Sequence, residues 1–127
     1  MTILGIGCDI VDINRISDLC KKDENGFVKR IISDEEKNNL NQITDSKKRI
    51  AYIAKRFAAK EAIAKAFGTG IGSNISFTDI SILNNNYGAP YVKFSEKINI
   101  ANIYKYDVKI SLSDEWPMAV AFAVISM

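Results

Sequence analysis

The chain has 127 residues, 47% hydrophobic and 25% charged, the size and composition of one soluble globular domain that can bury its own core without disulfide or metal staples. It contains no histidine and only two cysteines, Cys8 and Cys20, which excludes Ser-His-Asp and Cys-His nucleophile pairs, imidazole zinc sites and a four-cysteine zinc site. The 17 basic and 15 acidic residues leave a net charge of +2, and acid–base work falls to carboxylates, lysine, tyrosine or metal-bound water.

The first nine residues carry no leading positive charge and meet an acid at Asp9, so they do not read as a secretory leader. The longest apolar run, Met118 to Ile125, is eight residues, far short of the ~20 that span a bilayer. With too few cysteines for a disulfide framework, a single cytoplasmic domain over residues 1–127, without a membrane segment, is expected.

Ile3 to Ile10 alternates as a strand, with Leu4, Ile6, Cys8 and Ile10 on one face and Ile3, Gly5, Gly7 and Asp9 on the other. Cys8 is read as core on this pattern, and Cys20 likewise at the end of a short helix entered through Asp12 or Asn14. Ser33-Asp34-Glu35-Glu36 has capping-box spacing and should open a helix to about Gln42. The longest helix is predicted from near Asp45 or Ser46 to Gly68, with Ile50, Ile53, Ala54, Phe57, Ala58 and Ala62 on one stripe. Strands over Ile75–Leu83 and Pro90–Phe94 should be joined by the turn-rich Asn84-Asn85-Asn86-Tyr87-Gly88. A short helix over Ser95–Tyr104 and a final strand pair, Val108–Ser113 and Met118–Ser126, complete an α+β arrangement of helices against one sheet.

Two carboxylates stand out. Asp9 ends an apolar strand on the face stripped of side chains by Gly5 and Gly7, where a ligand or another backbone can approach; helix entry is its alternative role. Glu61 falls beside the apolar stripe of the long helix, where a carboxylate needs a metal, a lysine or a proton. Lys65, four residues on, would alternatively make an ordinary surface ion pair with it. Two carboxylates from separate elements can hold Mg²⁺ together with waters and phosphate oxygens. From Lys47 to Lys65 seven bases face one acid, a local +6 that leaves −4 for the rest of the chain, and this field suits a phosphate-bearing partner or simply a solvated helix face. Gly68-Thr69-Gly70-Ile71-Gly72 follows a helix, so it reads as a helix stop and not as a dinucleotide loop.

Three segments resemble the signatures of holo-acyl-carrier-protein synthases, the small phosphopantetheinyl transferases. They are Gly5-Ile6-Gly7-Cys8-Asp9-Ile10-Val11 through Arg15-Ile16, Arg56-Phe57-Ala58-Ala59-Lys60-Glu61-Ala62 through Gly72, and Phe77-Thr78-Asp79-Ile80 followed by Gly88-Ala89-Pro90-Tyr91. The resemblance implies the family's 4′-phosphopantetheinyl transferase fold, a small, mainly antiparallel sheet packed on one long helix and several short ones. It implies Mg²⁺-dependent transfer of 4′-phosphopantetheine from coenzyme A to a serine of apo acyl carrier protein, with release of adenosine 3′,5′-bisphosphate, in support of fatty acid synthesis. By motif position Asp9 and Glu61 are the implied metal ligands and Lys65 lies on the same phosphates. Lys47, Lys48, Arg56, Gly68, Gly88, Pro90 and Ser111 are the implied coenzyme contacts. The serine proton would go to water activated at the metal or to Glu61. Arg15, Lys21, Lys22, Lys29 and Arg30 would receive the acidic carrier, and the family implies a homotrimer with shared sites. Asp114 stands where many members have a histidine.

Two other functions fit parts of the pattern: a binding module for RNA or an acidic protein on the basic helix, and a pyrophosphatase using water as acceptor. Phe57 faces the core side of that helix, which counts against RNA, and no nucleic-acid partner is expected.

Overall fold

The structure, a computed structural model, describes all 127 residues. Five strands and three helices run in the order β1 (Ile3–Asp12), α1 (Ile13–Ile31), α2 (Asp34–Asn41), α3 (Ser46–Phe67), β2 (Ile80–Asn84), β3 (Pro90–Phe94), β4 (Asp107–Glu115) and β5 (Met118–Ser126). The anticipated single sheet divides in two: an antiparallel sheet in the order β1-β5-β4, and a separate β2-β3 hairpin. The α3 helix runs through the middle, with Ile53, Ala54, Ala58, Ala59, Ala62, Ile63 and Ala64 fully excluded from solvent.

Local chemistry explains the boundaries. Asp45 caps α3 by accepting from the Lys48 amide at 2.9 Å, and Gly68 ends it in the left-handed region at φ 78°. Ser33 opens α2 with the capping box the spacing predicted. The helix entered from Asp12 continues past Cys20, through a break at Asp23 (φ −160°, ψ 85°), into a second segment that buries Phe27, Val28 and Ile31. There Asp23 restarts the helix by accepting from the Gly26 amide at 3.0 Å. No helix forms over Ser95–Tyr104; Asn102 takes a left-handed conformation at φ 56° and only a 3₁₀ turn, Ile103–Lys105, follows. The strand expected from Ile75 begins at Ile80, after a 3₁₀ turn over Phe77–Asp79.

The face of β1 is the main correction. A Cβ added at Gly5 or Gly7 would lie 2.0 Å from the Ala66 carbonyl oxygen or 1.9 Å from that of Ala62. The backbone of α3 therefore rests directly on the glycine face, which is possible only because these positions carry no side chain. The apolar set expected in the core points the other way: Cys8 is exposed, and Leu4, Ile6 and Ile10 are 50%, 63% and 61% accessible. Cys20 is buried, as predicted.

Candidate active site

The close approach of β1 and α3 sets the site. Asp9 shares the face of Gly5 and Gly7; since Gly5 meets Ala66 and Gly7 meets Ala62, β1 runs back along α3 and carries Asp9 past Ala62 toward the middle of the helix. Lys65 reaches back across the junction, its Nζ donating to Asp9 Oδ1 at 2.9 Å and to the Cys8 carbonyl at 3.0 Å. The same-helix alternative, Glu61 with Lys65, gives way to this pairing between elements. Asp9's hydrogen bond and charge hold the Lys65 ammonium above its ordinary proton affinity.

Glu61 is half-buried beside this pair. Burial pushes its carboxyl above the ordinary value, and the charge of Asp9 pushes it further, while Lys65 and Arg15 pull it down. Two carboxylates thus press on each other with only partial cationic compensation. Arg15, predicted as a carrier-docking residue, also contributes its charge to this centre.

The basic helix is less of an open field than its composition suggests. Lys60 is buried against Glu36, Lys55 pairs with Asp114 at 3.2 Å, Lys65 pairs with Asp9, and Arg49 pairs with Glu24 at 3.1 Å. Arg56 is only 4% accessible, with its guanidinium carbon 3.8 Å from the centre of the Tyr52 ring. Lys47 and Lys48 remain exposed; they line a cavity of about 280 Å³ with Asp45, Ala51, Asp114 and Trp116, and Lys47 Nζ sits 4.6 Å from the centre of the Trp116 indole. Phe57 does turn inward, stacking on Phe77 at 5.3 Å.

The remaining predicted residues do not gather at Asp9 within one chain. Lys47 precedes Glu61 by fourteen residues on α3, about 20 Å along the axis at ~1.5 Å per residue. Gly68 is exposed at the end of α3, Gly88 is a turn residue at φ 83°, and Pro90 begins β3. Ser111 is exposed on β4, opposite Phe122, which is itself opposite Cys8 on β1; all three share the open apolar face. The largest surface cavity, about 620 Å³ between β3 and β4, is lined by none of these residues, so chemistry and not size locates the site. Glu36, Tyr52 and Asn84 were missed because their partners are distant in sequence; only the capping-box spacing drew attention to Glu36.

Residues 5–121 match the family described as the 4′-phosphopantetheinyl transferase superfamily. The chain belongs to that superfamily and is a phosphopantetheinyl transferase enzyme. Within it, the chain is 46% identical over 128 residues to the holo-[acyl-carrier-protein] synthase of Orientia tsutsugamushi (strain Ikeda), covering 98% of this chain and 97% of that one. It is 46% identical over 123 residues to the Ehrlichia chaffeensis enzyme of the same name, covering 97% and 96%. The crystal structure of the Neisseria meningitidis holo-[acyl-carrier-protein] synthase superposes with a TM-score of 0.90 at 38% identity, over 99% of this chain and 100% of that one. A Bacillus anthracis holo-(acyl-carrier-protein) synthase solved in complex with CoA (3′,5′-ADP) superposes with a TM-score of 0.84 at 37% identity, over 98% and 97%. The family anticipated from the motifs, and its fold, are those of this chain.

Proposed function

We propose that this chain transfers 4′-phosphopantetheine from coenzyme A to a serine of apo acyl carrier protein in a Mg²⁺-dependent reaction that releases adenosine 3′,5′-bisphosphate. The observation that carries this reading is the β1–α3 junction itself, where Lys65 pairs with Asp9 at 2.9 Å and Glu61 stands half-buried beside them. A divalent cation fits these residues: burial first, and then the charge of Asp9, disfavours the charged form of Glu61, and a positive ion would relieve both. No third acid, cysteine or histidine joins them in a metal-binding cluster, and an ion of the Mg²⁺ kind, which takes one or two carboxylates with waters and phosphate oxygens, would suit so small a set. When bound, Mg²⁺ supplies charge neutralisation at the pyrophosphate.

The chain's own groups do the rest. Asp9 and Glu61 would hold the ion, and Lys65, kept protonated by Asp9, would lie against the same phosphates. The carrier's serine oxygen forms the new bond to the phosphorus bearing the pantetheine arm, the bond to the departing nucleotide phosphate breaks, and the serine proton leaves to Glu61 or to water. The coenzyme contacts are Lys47, Lys48, Arg56, Gly68, Gly88, Pro90 and Ser111. Arg15, Lys21, Lys22, Lys29 and Arg30, all exposed along the two segments of α1, offer the cationic surface an acidic carrier needs.

A homotrimer with sites shared between subunits is part of the same reading. Lys47 lies about 20 Å along α3 from Glu61 and Ser111 lies on the sheet face opposite Asp9, so one chain spreads these residues apart, and the open face of the β1-β5-β4 sheet is where a neighbouring copy would pack. That face carries Leu4, Ile6, Ile10 and Phe122, the last 43% accessible, in a continuous apolar surface that a monomer would leave in water. No helix is long and apolar enough to cross a membrane, and a cytoplasmic role in fatty acid synthesis completes the reading.

The test is the intact mass of an apo acyl carrier protein after incubation with this chain, coenzyme A and Mg²⁺. A gain of one phosphopantetheine group, abolished by a chelator, is expected. No gain with several carriers would sink the reading.

A further inference from the structure

We propose that Asn84 is a positioning residue for coenzyme binding, coupling the guanidinium of Arg56 to the carbonyl of Gly88 and so holding the turn that leads into Pro90. Arg56 Nη2 donates to Asn84 Oδ1 at 3.0 Å, and Asn84 Nδ2 donates to the Gly88 carbonyl at 3.0 Å. A guanidinium only donates and a carbonyl only accepts, so these two neighbours fix which way the Asn84 amide faces. Asn84 also stands opposite Pro90, the last pair of the β2-β3 register, beyond which the Asn85 amide still bonds the Ala89 carbonyl at 2.9 Å and the Gly88 amide the Asn85 carbonyl at 3.0 Å.

The two sides of this bridge differ in rigidity. Arg56 is nearly sealed from solvent on the central helix, flat against Tyr52, and its Nε is buried without a hydrogen-bond partner. Its remaining bond to Asn84 is the one that satisfies the charged group from the loop side. The turn, by contrast, is exposed from Asn84 to Ala89 and is held by short-range bonds: Asn85 Oδ1 accepts from the Tyr87 and Ala89 amides at 2.9 and 3.0 Å. Those bonds shape the turn but do not attach it to the core. Asn84 does, by referring the Gly88 carbonyl to a side chain buried in α3. A loop pre-set in this way loses less freedom when a ligand settles against it.

The inference rests on the reading that coenzyme A lies against Arg56 and the Gly88–Pro90 turn. It commits to a pattern of kinetics. Asn84→Ala should raise KM for coenzyme A about fivefold to tenfold while kcat and the carrier KM stay within about twofold. Arg56→Gln should raise the same KM, and the double variant should be less impaired than the product of the two single effects. Asn84→Asp keeps the acceptor for Arg56 but sets an oxygen against the Gly88 carbonyl, and should not rescue. In the free protein, amide exchange at Gly88 and Ala89 should quicken in Asn84→Ala while exchange at Ile82 is unchanged. Wild-type chain that neither binds coenzyme A nor transfers would overturn the functional reading and this inference with it. An active wild type with an Asn84→Ala variant of unchanged coenzyme KM, with multiplicative double-variant effects, or with unchanged exchange at Gly88 and Ala89, would overturn this inference alone.

Discussion

Lys60 and Glu36 form an ion pair in which both side chains are fully excluded from solvent, with Nζ 2.5 Å from Oε1. Lys60 also donates to the Ile31 carbonyl at 2.6 Å, and Glu36 accepts from the Ser33 and Ile82 amides, each at 2.9 Å. One buried pair thereby ties the end of α1, the start of α2, the middle of α3 and β2. Burial lowers the proton affinity of Lys60, and Glu36 pulls it back up. Lys60→Met leaves an unpaired buried carboxylate and should cost about 3–5 kcal/mol of stability, whereas Glu36→Gln/Lys60→Met should cost less than the sum of its singles. Denaturant unfolding at fixed protomer concentration measures both; a neutral Lys60→Met would mean that the pair does not hold these elements together.

The β1–α3 contact predicts an unusually severe glycine substitution. Gly7→Ala drives a Cβ onto the Ala62 carbonyl, a backbone group that cannot rotate away. A loss of about 3 kcal/mol or more is expected, with weakened catalysis because Asp9 is carried by the same strand. Gly72→Ala, where the added carbon meets nothing, is the control. Thermal unfolding of the two variants separates close packing from a general intolerance of alanine.

Glu61 links stability to pH and, on the proposed function, to a bound ion. Its carboxyl is raised in the fold, so the native state binds more protons than the unfolded chain between the ordinary value of 4.5 and the raised one. The sign follows: Glu61's contribution is most favourable below that window, declines as pH rises through it, and is a fixed cost above it. Glu61→Gln should therefore stabilise the ion-free protein at neutral pH and flatten this part of the profile. Transfer should fall about a hundredfold or more in Glu61→Gln and in Asp9→Asn. Retained transfer in Asp9→Asn would disprove the metal assignment.

The open sheet face makes assembly testable by sedimentation. Phe122→Glu places a charge at the middle strand of that face, opposite Cys8 and Ser111. Sedimentation should shift from three chains to one, and activity should fall with it. A wild-type chain that sediments as a monomer at working concentration would refute the trimer.

Asp114 competes for the cations near the coenzyme contacts. It pairs with Lys55 at 3.2 Å and lines the cavity of Lys47 and Lys48, where its charge opposes any phosphate. Asp114→His should tighten coenzyme A, seen as a lower KM or a stronger calorimetric affinity. Unchanged affinity would remove Asp114 from the account of coenzyme binding.

Much of the architecture was legible because it is local. The caps at Asp45 and Ser33, the stop at Gly68 and the turn from Asn84 to Gly88 each follow from a side chain and backbone within a few residues. The helix predicted over Ser95–Tyr104 failed at that same scale: its apolar residues bury as isolated anchors, with Ile98 and Ile103 inside, and Asn102 leaves the helical region. The polar run from Lys21 to Gly26 hid the second segment of α1, which restarts at Asp23 beyond the predicted end near Cys20.

The sequence by itself identified the family and singled out Asp9, Glu61 and Lys65 as candidates, because motif spacing survives in the linear order of residues. It could not choose the buried face of β1: alternation defines two faces, and only the arrival of α3 against Gly5 and Gly7 selected the glycine side and left the apolar one outside. Nor could spacing reveal that Lys65 would pair with Asp9, or that Lys60 would be buried against Glu36. Those partners lie 56 and 24 residues apart, so their attraction exists only once packing has closed the distance and excluded the water that would screen it.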